Sequence, residues 1–175
     1  MVFRKVFALA FGCSLLLPGS EAGAIIETPT IAELAKTSDV IVLARVESVT
    51  GHPSDLDRRA KATVTEVWKG PKTASVEFLA SPTWVCDISD AKPDETVLLF
   101  LVKGKEAGWV INWAGRGRRP LRSLDGKTYV SCAGVILPPG TPSITGPVGS
   151  EGGFDRAVEL DTVQNLVMRA IRDKK

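Results

Sequence analysis

Histidine occurs once in this 175-residue chain, at position 52, tyrosine occurs once and cysteine three times. With Cys13 inside an N-terminal leader and the other two cysteines expected to be oxidised, the single histidine cannot complete a three-ligand zinc site without carboxylates, and no sequence motif for a metal or cofactor is present, so no cofactor is expected. Charge of one sign is not in excess either: 22 Lys and Arg stand against 20 Asp and Glu, a formal +2. That balance gives no global argument for nucleic acid or for a strongly anionic surface. Internal repeats of about 20 to 50 residues and coiled-coil heptads are also missing, which removes solenoids and long zippers.

The longest apolar run is confined to the N-terminus. In MVFRKVFALAFGCSLLLPGSEAGA, Arg4 and Lys5 form a positive start, Val6 to Leu17 an apolar centre and Ala22-Gly23-Ala24 a small-x-small cleavage site, the pattern of a secretory signal peptide over residues 1–24. Pro18, Ser20 and Glu21 end the run short of the roughly 20 residues that a membrane span takes. No stable span is expected after cleavage. A lipoprotein acylated on Cys13 is the alternative, but it would leave Ser14 to Leu17 behind the modified residue. A mature chain of residues 25–175 is one domain, large enough to bury about 70 % of its unfolded surface, and it resides in the periplasm or outside the cell. Losing Arg4, Lys5 and Glu21 leaves 20 basic against 19 acidic residues, or +1.

Export also governs the cysteines. Cys86 and Cys132 remain, an even pair in an oxidising compartment, and are expected to form one disulfide. Closing a loop of that length stabilises a fold by about 4 kcal/mol in the chain-entropy picture.

Along the chain, Thr30-Ile31-Ala32-Glu33 reads as a capping box opening a short helix. Asp39 to Thr50 is β-branched and apolar on both faces at its start, a buried strand that runs out of the core at Arg45 and Glu47. Gly51 to Asp57 is loop; then Ala60, Ala62 and Val64 alternate with polar residues, and the alternation slips at Glu66-Val67-Trp68, which predicts a bulge. A turn at Lys69 to Lys72 leads to a third strand, completing a hairpin. Glu95 to Lys103 and a strand carrying Trp109, Ile111 and Trp113 make a second hairpin. Arg116 to Arg122 (RGRRPLR) reads as a basic irregular loop, Thr128 to Ile136 as a sixth strand, and Leu137 to Gly153 as loop. Leu160, Val163, Leu166, Val167, Ala170 and Ile171 fall within about 140° at helical spacing, so residues 160–174 form an amphipathic helix with Asp161 and Gln164 as its cap. With no helices between strands, a parallel sheet is disfavoured. The expected fold is mainly β, an OB-like barrel of five to six antiparallel strands with a short N-terminal helix and a C-terminal one.

The stretches TSDVIVLARVESV (37–49), ATVTEVWKG (62–70) and DETVLLFLVK (94–103), in that order with a cysteine before the last, resemble the netrin-like superfamily. It comprises secreted OB-type barrels that include the tissue inhibitors of metalloproteinases and bacterial relatives, and the resemblance covers roughly residues 30–135. It implies a barrel and, in its inhibitor branch, proteinase inhibition through a mature N-terminal cysteine that chelates the target's zinc. This chain departs there, because cleavage after Ala24 exposes Ile25. The resemblance therefore implies fold without implying inhibition.

Candidate chemistry is sparse. His52 with Ser54 or Ser131 lacks a nucleophile elbow, and a solvated loop histidine is the simpler reading. Asp87, Asp90 and Asp94 lack the glycine and terminal Glu of a calcium loop. Arg116, Arg118, Arg119 and Arg122 form the one local charge concentration, next to Trp109 and Trp113; with Trp84 beside Cys86 they are the candidate binding surface. Trp68, Trp84, Trp109 and Trp113 otherwise read as core or end-capping aromatics. The functional expectation is a non-catalytic, disulfide-stabilised binding module for a protein or an anionic envelope ligand, with no nucleic-acid partner. A proteinase inhibitor without the cysteine and an exported hydrolase are the alternatives.

Overall fold

The computed structural model describes residues 27–52, 55–80, 90–105, 108–146 and 155–173. In chain order its elements are α1 (Ile31–Thr37), β1 (Val40–Thr50), β2 (Arg59–Lys69), β3 (Ser75–Leu79), β4 (Thr96–Lys103), β5 (Trp109–Ile111), β6 (Arg118–Leu124), β7 (Lys127–Ser131), β8 (Ile144–Gly146), β9 (Asp155–Glu159) and α2 (Leu160–Arg172). Five strands close a barrel: β1 pairs with β2, β2 with β3, β3 with β5, β5 with β4, and β4 returns to β1. Closure gives each of these strands two neighbours and so removes free edges over the paired lengths. Every pairing between these strands is antiparallel except β3 with β5, which is parallel at Phe78 and Leu79.

The strand pattern explains two cores. Alternation along β1 sends Val40, Val42, Ala44 and Val46 inward, where they meet Ala60, Ala62, Val76, Phe78, Val97, Leu99 and Leu101 in the barrel interior. The residues between them on the same strands, Ile41, Leu98 and Phe100, point outward and are equally buried, because α1, α2, β7 and β9 cover that face. This is why β1 and β4 read as apolar on both faces rather than alternating. Burying one such aliphatic or aromatic side chain contributes about 1.5–3 kcal/mol.

Local chemistry sets the ends. The Thr30 amide donates to Glu33 Oε2 at 2.7 Å and the Glu33 amide donates to Thr30 Oγ1 at 3.0 Å, the reciprocal capping box expected from the sequence. The Thr30 amide and hydroxyl hold the Glu33 carboxyl below the ordinary carboxylate range. The anticipated slip in β2 is present twice. Ile41 faces Lys69 while Val42 faces Val67, and Leu43 faces Glu66 while Ala44 faces Val64, so Trp68 and Thr65 are the extra residues. The outer bulge places Trp68 in the cluster beneath the helices.

Four readings are corrected. Arg116 to Arg122 is not an irregular loop: Arg118 to Pro120 pair with β4 and Leu121 to Leu124 with β7. Pro120 disguised the strand, and it is accommodated where β6 passes from one partner to the other. Trp113 does not continue β5, which ends at Ile111. Within Leu137 to Gly153, Ile144 to Gly146 form β8 against β9. The N-cap of α2 is Glu159, whose side chain makes no capping bond and pairs with Lys127, and Gln164 instead donates to Glu66 at 2.8 Å. Four strands, β6 to β9, thus extend the five-stranded barrel. Among the described residues no helix is long and apolar enough to cross a membrane.

Candidate functional site

The four arginines of the basic segment end up in different environments. Arg118 is 9 % exposed and its guanidinium forks onto both oxygens of Glu95, with Nε to Oε1 at 2.8 Å and Nη2 to Oε2. Arg119, one residue on, points to the other side of the strand, is 1 % exposed and donates Nη1 to the Ala133 carbonyl. Both are held inside the protein, and for Arg118 the fork onto Glu95 offsets the cost of taking a cation out of water. Arg122 is exposed and Arg116 half-buried. Neither makes a side-chain hydrogen bond or ion pair among the described residues.

Arg116 stands on a turn built against a single residue of β4. The Asn112 amide donates to the Phe100 carbonyl at 2.9 Å, the Phe100 amide to the Gly117 carbonyl at 2.8 Å, and the Gly117 amide to the Asn112 carbonyl at 2.9 Å. Residues 113–116 are therefore an excursion between β5 and β6, both of which pair with β4. Gly117 is obligatory at its foot, since a Cβ there would lie 2.5 Å from the Phe100 carbonyl oxygen. Within the excursion Trp113, Ala114 and Gly115 take φ of 52°, 46° and 86°. Two consecutive non-glycine residues in the left-handed region cost roughly 1–2 kcal/mol each. Strain of this kind persists only where the surroundings over-determine it.

The surroundings do so through α1. Asn112, 8 % exposed, donates Nδ2 to Thr37 Oγ1 at 2.8 Å and to Ser38 Oγ at 3.0 Å, and its Oδ1 accepts from the Trp113 amide at 2.9 Å. Trp113 Nε1 donates to the same Thr37 hydroxyl at 3.2 Å. Thr37 and Ser38 in turn donate to the carbonyls of Glu33 and Leu34, both at 2.7 Å. The last turn of α1 also receives Lys69 Nζ at the carbonyls of Ala35 (2.9 Å) and Lys36 (3.2 Å) and at that of Ser38 beyond it, a cation at the negative end of the helix. The side chains that fix the turn, Asn112 and Ser38, carried no strong signal in the sequence; the closely spaced glycines 115 and 117 were the only hint.

On its other side the turn meets the segment after β7. Gly134 faces Arg116: a Cβ there would lie 3.6 Å from Arg116 Nε. Cys132, two residues earlier, is 2 % exposed, with Sγ 3.6 Å from the Val130 carbonyl oxygen. Trp84, Cys86 and Asp87 lie outside the described residues, as do Ser54 and residues 1–26, so the Cys86 half of the expected disulfide and the leader fall outside them.

The remaining candidates are dispersed. His52 is exposed, and its amide donates to Asp55 at 2.6 Å. Ser131 is buried in β7. Asp90 pairs with Arg58 at 2.8 Å and Asp94 with Arg45 at 3.0 Å, on separate partners. Among the described residues no three His, Cys, Asp or Glu side chains gather as a metal site would require. Trp109 packs against the barrel interior and Trp113 against the outer cluster, so the two do not share a face. No protein-family model matches the sequence, and no curated protein matches it at significant similarity.

Proposed function

We propose that the chain is a secreted or periplasmic binding module of the netrin-like OB type, stapled by a Cys86–Cys132 disulfide, that recognises an anionic group on an envelope protein or glycan without catalysing a reaction. Arg116 and Arg122 supply the cationic contacts. The observation that carries this reading is the pairing of strain with an uncommitted charge. A left-handed turn, tied down by Asn112 and Thr37, presents one arginine with no partner of its own, while its neighbours in sequence are consumed by the fold.

Affinity capture from native envelope or culture fluid, with residues 25–175 as bait and mass spectrometry as readout, tests it. The wild-type chain is expected to retain a partner that an Arg116→Glu, Arg122→Glu double variant of unchanged melting temperature loses. Equal recovery by both would overturn the reading. Intact mass of the exported chain is expected to lack residues 1–24 and two further hydrogens.

A further inference from the structure

A second surface lies along the outer half of β2 and shares no lining residue with the Arg116 turn. β2 pairs with β1 from end to end, but with β3 only from Arg59 to Thr63. The Val64 amide still reaches the Ala74 carbonyl at 2.9 Å, and beyond it no strand among the described residues pairs with the far edge of Thr65 to Lys69. An open cavity of about 510 Å³ runs there, between Thr65 to Lys69 on one side and Lys72 and Thr73 on the other. An unpaired edge is ordinarily guarded by a lysine lying over it. Lys69 is drawn off to the end of α1, as described above, so its charge stays beside the groove while its side chain leaves the edge uncovered.

Trp68 adds an independent mark. It is 7 % exposed and lines the groove, yet its indole N–H finds no acceptor among the described residues. A buried donor left unmade is expensive, and tryptophan N–H groups ordinarily find partners when buried. The charged side chains at the groove are Glu66, which accepts from Gln164 and keeps its charge, and Lys69 and Lys72, a balance of two positive to one negative.

We propose that this edge takes an extended acidic peptide of a partner protein by strand addition. Main-chain pairing along Thr65 to Lys69 would give affinity, and Lys72, with the charge of Lys69 nearby, would favour carboxylates over cations. This surface is separate from the Arg116 turn, and neither proposal depends on the other.

The test is a ¹⁵N NMR titration of the mature chain with an octapeptide of alternating valine and glutamate, beside a valine–lysine counterpart. Trp68→Phe assigns the Trp68 indole signal. The acidic peptide is expected to shift the amides of Thr65 to Lys69 and the Trp68 indole N–H, and Lys72→Glu is expected to weaken it about fivefold or more. No shift at millimolar peptide, or an equal response to the lysine peptide, would overturn the proposal. Concentration-dependent shifts of the same signals without peptide would overturn it too, by assigning the edge to a second copy of the chain.

Discussion

Two consecutive stretches of the chain, the turn Asn112 to Gly117 and the start of β6, carry arginines two residues apart and treat them in opposite ways. In β6 the ladder with β4 fixes the side-chain directions: Arg118 forks onto Glu95 and Arg119 reaches Ala133. In the turn the chain leaves the ladder, and Arg116 keeps an uncommitted guanidinium on a strained backbone. Charge in a sequence therefore says little about exposure. Position relative to the ladder decides whether a guanidinium becomes part of the fold or stays available to a ligand.

The largest expected effect lies on the β6 side. Glu95→Ala leaves Arg118 in place without its carboxylate, and removing one partner of a buried pair costs about 3–5 kcal/mol; thermal or urea unfolding measures it. A loss under about 1 kcal/mol would mean that the fork is a surface pair and would dissolve the contrast. Next, Gly117→Ala pushes a methyl into the Phe100 carbonyl and should cost about 1–3 kcal/mol. Thr30→Ala removes the cap of the helix on which the turn rests and should cost about 1 kcal/mol.

The same cap gives a pH signature. Because the Glu33 carboxyl is held low in the folded chain, its stabilising contribution is full above its unfolded value and is lost as the pH falls through its folded one. Carboxyl NMR titration should show Glu33 returning toward the ordinary range in Thr30→Ala. The smallest effect sharpens the turn side: Ala114→Gly relieves one left-handed residue at the cost of unfolded-state entropy, for a net gain of about 0.5–1 kcal/mol. A loss of stability there would mean that the turn is not strained.

The parts legible in the sequence are those fixed by near neighbours. Thr30 and Glu33 announce α1 because a capping box closes over three residues, and Val163, Val167 and Ala170 announce the buried face of α2 because helical period is local. The bulge at Trp68 was visible as a slipped alternation. The start of β6 was not: its partner Glu95 lies 23 residues away, and arginines with a proline imitate a loop. The turn was missed for a similar reason. Asn112 acquires its meaning from Thr37 and Ser38, more than 70 residues earlier, and nothing local to Trp113 and Ala114 signals positive φ.

Melting temperature and partner capture, measured together on Arg116→Glu and Arg118→Ala, separate the two kinds of arginine. Arg116→Glu is expected to melt within about 2 °C of the wild type and to lose the captured partner, whereas Arg118→Ala is expected to melt well below it. An Arg116→Glu chain that keeps its full complement of partner, or an Arg118→Ala chain as stable as the wild type, would contradict that separation.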